Sequence, residues 1–186
     1  IADDCEIEDL SGSVSLIHHF DTDAGGIRAR RIGRDGFDLF LPASAGSPFP
    51  VDAEIDDTTW TLLEMKALVP RSGLEITGGE FPSELGLDTW SVDFHKGCYL
   101  GQEIVSRIRS VGRTKRVLGL AVSGEPLHPG DGVLDTARNR GEVTRRSLQI
   151  GEKSFLALAL FEKSLESTFS PENQRIVSKE QSFPLP

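Results

Sequence analysis

From residue 113 onward the chain repeats one pattern: short apolar runs broken by turn residues. Val117-Leu118-Gly119-Leu120-Ala121-Val122 and Phe155-Leu156-Ala157-Leu158-Ala159-Leu160 are nearly continuous in apolar character. A strand with one wet face alternates apolar and polar residues, so runs without alternation call for cover on both faces. Between them lie two turn signals, Pro129-Gly130-Asp131-Gly132 and Gly141-Glu142-Val143-Thr144, and His128 reads as part of the first turn. Several short strands punctuated in this way predict a C-terminal antiparallel β-barrel over 113–186. Within it, the polar stretch from Ser164 to Pro186 reads as one last strand and a loose tail.

Residues 1–112 read differently, as a mixture of strands and helices, so the chain is expected to be α+β with two domains, 1–112 and 113–186. Ser13 to Phe20 alternates in part, with Val14, Leu16, His18 and Phe20 on one side. Ile27–Ile32 and Phe37–Leu41 are two more strand candidates, joined by a hairpin turn at Gly33-Arg34-Asp35-Gly36. Pro42 to Pro50 is a loop of small residues and prolines. Asp57 or Thr58 can cap a helix reaching about Leu68, with Trp60, Leu63, Ala67 and Leu68 on its core face and Pro70 ending it. His18 and His19 invite a metal reading, but neighbours on a strand point to opposite faces and no third ligand stands nearby, so no metal site is expected.

Charge and cysteine content narrow the function. The formal net charge is −9. Residues 1–57 carry 13 acids and 4 bases, whereas residues 107–146 carry 9 bases and 4 acids. That basic strip either faces an anionic partner, such as a polyglutamyl tail, RNA or an acidic protein, or is a solvated surface of mixed charge. No aromatic residue interleaves it, so base stacking has no support. No apolar run approaches the roughly 18 residues of a membrane span. Two cysteines, Cys5 and Cys98, form neither a disulfide framework nor a metal-ligand set. A reducing cytoplasm is the expectation.

The chemistry concentrates at Lys96-Gly97-Cys98-Tyr99-Leu100-Gly101-Gln102-Glu103. Behind it Ile104, Val105 and Ile108 fall at helical spacing, with Gly112 where a helix-ending glycine belongs. Gly101 can act as the N-cap, with Gln102 and Glu103 in the first turn. Cys98 then sits just ahead of a helix N-terminus with Lys96 two residues away, and both favour thiolate over thiol. The plainer reading is a small apolar residue in a glycine turn.

These eight positions match without a departure the K-G-C-Y-x-G-Q-E motif of the YgfZ family, folate-binding-type proteins related to the aminomethyltransferase (T-protein) of glycine cleavage. Arg107 and Lys115-Arg116 resemble the family's continuation. Phe81–Leu87 resembles its P-x-E-x-G-L approach, Asp9-Leu10-Ser11 its D-L-S entry, and the turns near 130 and 141 its P-G-D and G-x-V-T turns. The helix predicted from Asp57 or Thr58 to about Leu68 departs from it: Glu64 stands where the family has an Arg that contacts the folate tail, and Leu68 where it has Gly. A Glu there replaces attraction of a polyanion by repulsion.

The resemblance implies a T-protein-like folate-binding α+β domain, incomplete at its N-terminus, followed by the barrel. It implies a folate-linked accessory factor in making or repairing iron–sulfur enzymes, tRNA-modifying ones included, with tetrahydrofolate or a derivative as cofactor and iron–sulfur client proteins as partners. Cys98 would be the working thiol and Lys96 would favour its ionised form. Gly97 and Gly101 would permit the turn, and Tyr99 would wall the site. Gln102 and Glu103 would fix the loop, and Arg107 would hold Glu103 or an anion; Tyr99 and Arg107 are the folate-contact candidates. Two other readings stay open. One is a tetrahydrofolate-dependent aminomethyltransferase, against which stands the lack of a Y-T-G-E-like element at Gly33–Gly36. The other is a non-enzymatic RNA- or protein-binding module using the barrel and the basic strip. Oligomeric state is not encoded in any of these features.

Overall fold

The computed structural model describes residues 6–20, 25–50, 53–111, 114–162 and 175–179. The chain packs as two compact units, 1–60 and 61–186. Unit one holds a three-stranded antiparallel sheet in the order β1-β3-β2, with β1 at Val14–Phe20, β2 at Ile27–Arg31 and β3 at Arg34–Pro42. Val14 pairs with Pro42 and Phe20 with Gly36, so His18 and Asp38 share a face while His19 and Phe37 share the other. The histidines therefore diverge, as strand geometry demands.

The β2–β3 turn lies earlier than the sequence suggests. Arg31 pairs directly with Arg34, leaving Ile32 and Gly33 as a two-residue turn with φ of 45° and 73°. Two positive φ values are what a type I′ hairpin requires. An isoleucine there is strained, but its side chain is 5% exposed, so burial offsets part of the cost. Gly36 belongs inside β3 instead. A Cβ on it would run into the carbonyl oxygen of His19 and lie 2.8 Å from the His18 ring.

Helix α1 spans Asp57–Lys66 and is capped one residue before the predicted cap. Asp56 accepts from the Thr59 N–H and the Thr59 hydroxyl, both at 2.8 Å. The helix ends in a Schellman arrangement. Leu68 N–H donates to Met65 O, Val69 N–H donates to Glu64 O, and Leu68 takes φ 54°. The core face is rotated from the expected one: Met65 and Glu64 are the buried residues, flanked by Leu62 and Leu68.

Unit two is built on a closed barrel in the order β4-β7-β6-β5-β8. The strands are β4 Arg116–Ser123, β5 Gly132–Asp135, β6 Arg140–Gly151, β7 Ser154–Glu162 and β8 Arg175–Lys179. Four pairings are antiparallel, but β8 runs parallel to β4, with Ala121 opposite Arg175. The expectation of a wholly antiparallel barrel is corrected at that one seam. The two apolar runs are β4 and β7, and both faces are covered as their lack of alternation requires. Ala121, Ala157, Ala159 and Phe161 join Leu127, Val133, Val143 and Val177 in one cluster. Leu118, Leu120, Leu156, Leu158 and Leu160 point the other way and pack on Met65 and Leu85. Together these elements are α+β. No helix among the described residues is long and apolar enough to cross a membrane.

Candidate functional site at the Cys98 loop

Phe94 to Leu100 has no regular structure and leads into helix α2, Gln102–Val111. Gly101 takes φ +86° and its carbonyl accepts from Val105 N–H at 3.2 Å, so it is the N-cap in a conformation suited to glycine. Tyr99 and Gln102 lock the entry reciprocally: Tyr99 N–H donates to Gln102 Oε1 at 3.3 Å, and Gln102 N–H to Tyr99 O at 3.2 Å. This lock leaves Cys98 a free, exposed thiol just ahead of the first turn.

The other motif residues divide. Lys96 lays its Nζ 4.6 Å from the centre of the Tyr99 ring, a cation–π contact between the residues that flank Gly97 and Cys98 in sequence. The Tyr99 hydroxyl is buried without a partner. Gly97 has open space where a Cβ would stand and no left-handed backbone, so only Gly101 shows a conformational need for glycine. Glu103 and Arg107 are both exposed and make no ion pair with each other. Arg109, also exposed, instead lays its guanidinium 3.9 Å from the Phe94 ring centre.

Two clusters escaped the sequence reading. In the first, Arg145 on β6 is buried and reaches Glu75 through Nε at 3.1 Å and Nη2 at 2.5 Å, and Glu64 through Nη1 at 3.4 Å. Glu75 also accepts from Arg71 N–H at 2.9 Å and the Thr144 hydroxyl at 3.2 Å, while Arg71 pairs with Glu64. Glu64 therefore meets two guanidiniums, and the repulsion expected of it is offset locally. Nearby, Glu84 takes Arg116 at 3.2 Å. Arg116 and Arg145 are thus committed inward and leave the basic strip; Arg113 lies outside the described residues. The only hint in sequence was a charged residue inside an otherwise β-like run.

In the second cluster, Asp38 accepts from Arg31 Nε at 3.0 Å and Nη2 at 2.8 Å, and lies 2.8 Å from His18 Nδ1. The Arg31 bonds hold the Asp38 carboxyl below its ordinary range; burial opposes them and His18 assists. His18 Nε2 is buried without a partner. No three metal-binding side chains converge among the described residues.

Against known proteins, no family model matches. The chain is 38% identical over 85 residues to the iron–sulfur cluster assembly factor IBA57 homolog, mitochondrial, of Dictyostelium discoideum, covering 44% of this chain and 21% of that protein. It is 39% identical over 62 residues to the tRNA-modifying protein YgfZ of Colwellia psychrerythraea, covering 33% of this chain and 19% of that one. Both of these relatives are members of the YgfZ/IBA57 family, and this chain is similar to them over those stretches. Within that family the matched stretches span about a fifth of each relative's length.

Proposed function

We propose that this chain, similar to the YgfZ/IBA57 family, is a folate-linked accessory protein for iron–sulfur cluster assembly or repair, with Cys98 as its working thiol. What carries the reading is the exposed Cys98 beside Lys96, ahead of α2, inside an unbroken K-G-C-Y-x-G-Q-E motif. A thiolate sulfur can donate to iron or exchange with a disulfide, and both steps need an accessible thiol. The relatives' names, one for cluster assembly and one for tRNA modification, support the same family-level role. On this reading 1–112 carries the site, with Tyr99 and Arg107 as the residues that would meet tetrahydrofolate, and 113–186 is the barrel domain. Cytoplasm or another reducing compartment suits the thiol. RNA as the direct partner is disfavoured because Arg116 and Arg145 are spent on internal carboxylates.

The test is complementation in cells depleted of their own family member, read by aconitase activity. The chain should restore that activity and Cys98→Ser should not. Equal rescue by Cys98→Ser would sink the working thiol. For the folate link, tetrahydrofolate should slow alkylation of Cys98 in the purified chain, and an unchanged rate would remove that part of the reading.

A further inference from the structure

Helix α2 has no buried residue. A surface helix of this length normally seats an apolar stripe on the body of its protein. Here Val105 and Ile108 are only half-buried, while Leu100 is fully exposed and Ile104 and Val111 are more than half exposed. At 100° per residue, Ile104, Ile108 and Val111 fall on one stripe, and Leu100 leads into it. Arg107 borders that stripe, three residues after Ile104 and four before Val111. Residues 94–111 hold three bases, Lys96, Arg107 and Arg109, against one acid, Glu103, in a chain of net charge −9. An apolar ridge edged by positive charge calls for a partner that is apolar at its centre and acidic at its rim.

We propose that the outer face of α2, formed by Leu100, Ile104 and Val111 with Arg107 beside them, docks an acidic protein segment that presents apolar side chains. The inference deepens the proposed function, and rests on it for what the docked partner exchanges with Cys98, two residues before Leu100. A nucleic acid would leave three aliphatic side chains without a counterpart. A second copy is disfavoured by size: ten residues make a helix of about 15 Å, and one such face falls short of the roughly 1,200 Å² of a stable interface.

The experiment is fluorescence anisotropy with a short labelled helical peptide, leucines along one face and glutamates flanking them. Two control peptides carry Lys for every Glu, or Ser for every Leu. The acidic amphipathic peptide should bind at least about tenfold more tightly than either control, and more weakly as salt rises. Ile104→Asp with Val111→Asp should lose about tenfold or more, and Arg107→Glu should weaken binding and flatten its salt dependence. Since Ile104, Arg107 and Val111 are all exposed, these variants should keep the parent's urea midpoint. Cys98→Ser should bind the peptide normally, so a failed thiol reading and a failed docking face give different results. Equal binding of all three peptides would overturn the proposal. So would insensitivity to the α2 substitutions, a dimer in sedimentation, or tighter binding of oligo(U) RNA or anionic vesicles.

Discussion

Arg145→Met is the substitution that most directly tests how unit two is held together. The Glu75 side chain is fully buried and Arg145 supplies two of its four hydrogen bonds; Arg71 N–H and the Thr144 hydroxyl supply the others. Removing one member of a buried pair costs about 3–5 kcal/mol, because the other charge stays behind without its counter-ion. The two remaining bonds to Glu75 argue for the lower end, about 3 kcal/mol, a large share of the 5–15 kcal/mol that holds a typical domain. The double variant Glu75→Met, Arg145→Met removes both charges, while Arg71 N–H loses its acceptor. It should therefore recover all but about 1–2 kcal/mol of the parent's stability. Glu64→Gln should cost about 1 kcal/mol, since Glu75 keeps Arg145. Urea unfolding in a Trp60→Phe background, with Trp90 as the sole tryptophan reporter, measures all three. An Arg145→Met loss under about 1 kcal/mol, or a double variant no more stable than the single, would show that the cluster is not a coupled buried pair.

Three further outcomes follow from the geometry. Gly36→Ala should destabilise unit one by about 1–3 kcal/mol, because its methyl meets the His19 carbonyl and the His18 ring; a change within a few tenths in thermal melting would contradict that crowding. The Asp38 carboxyl is depressed in the folded state, so its contribution is complete above the unfolded carboxylate pKa of about 3.9 and drains away as pH falls through the folded value. Asp38→Asn should accordingly lower stability at neutral pH and flatten the decline between neutral and strongly acidic solution, as seen in urea midpoints against pH. Leu127→Ala, at a fully buried position in the barrel, should cost about 2–5 kcal/mol, and a smaller cost would mean the barrel relaxes around the cavity.

Sequence pattern revealed most of what local periodicity controls. The two faces of β4 and β7 were legible because a run with no polar residue leaves neither face for water, and the divergence of His18 and His19 was legible from period two alone. The hairpin turn was misplaced because Gly36 looked like a turn residue. Its glycine is demanded by the neighbouring strand, while an isoleucine takes the left-handed position. Leu68 hides its role similarly: a left-handed C′ residue is signalled by glycine, and here leucine holds it. At the site, the order Cys98, Gly101, α2 was readable, since capping and dipole arguments are local. The Arg145 cluster was not, because Glu75 and Arg145 lie 70 positions apart and nothing in either segment names the other.

The parallel seam between β4 and β8 also sets the order in which the barrel can be finished. The strands between them are paired by their own neighbours in sequence or by β7 returning to β4, yet β4 and β5 each keep one bare edge until β8 inserts. β8 follows the other described barrel strands in sequence, so it is made after them. Until then the nascent chain carries an open sheet whose β4 edge is apolar on both faces, a template for pairing with another molecule. A chain ending before Arg175 would keep that edge permanently, and should sediment as aggregates where the full chain stays dispersed. The five-residue β8 thus seals the barrel against its own neighbours in a crowded cell.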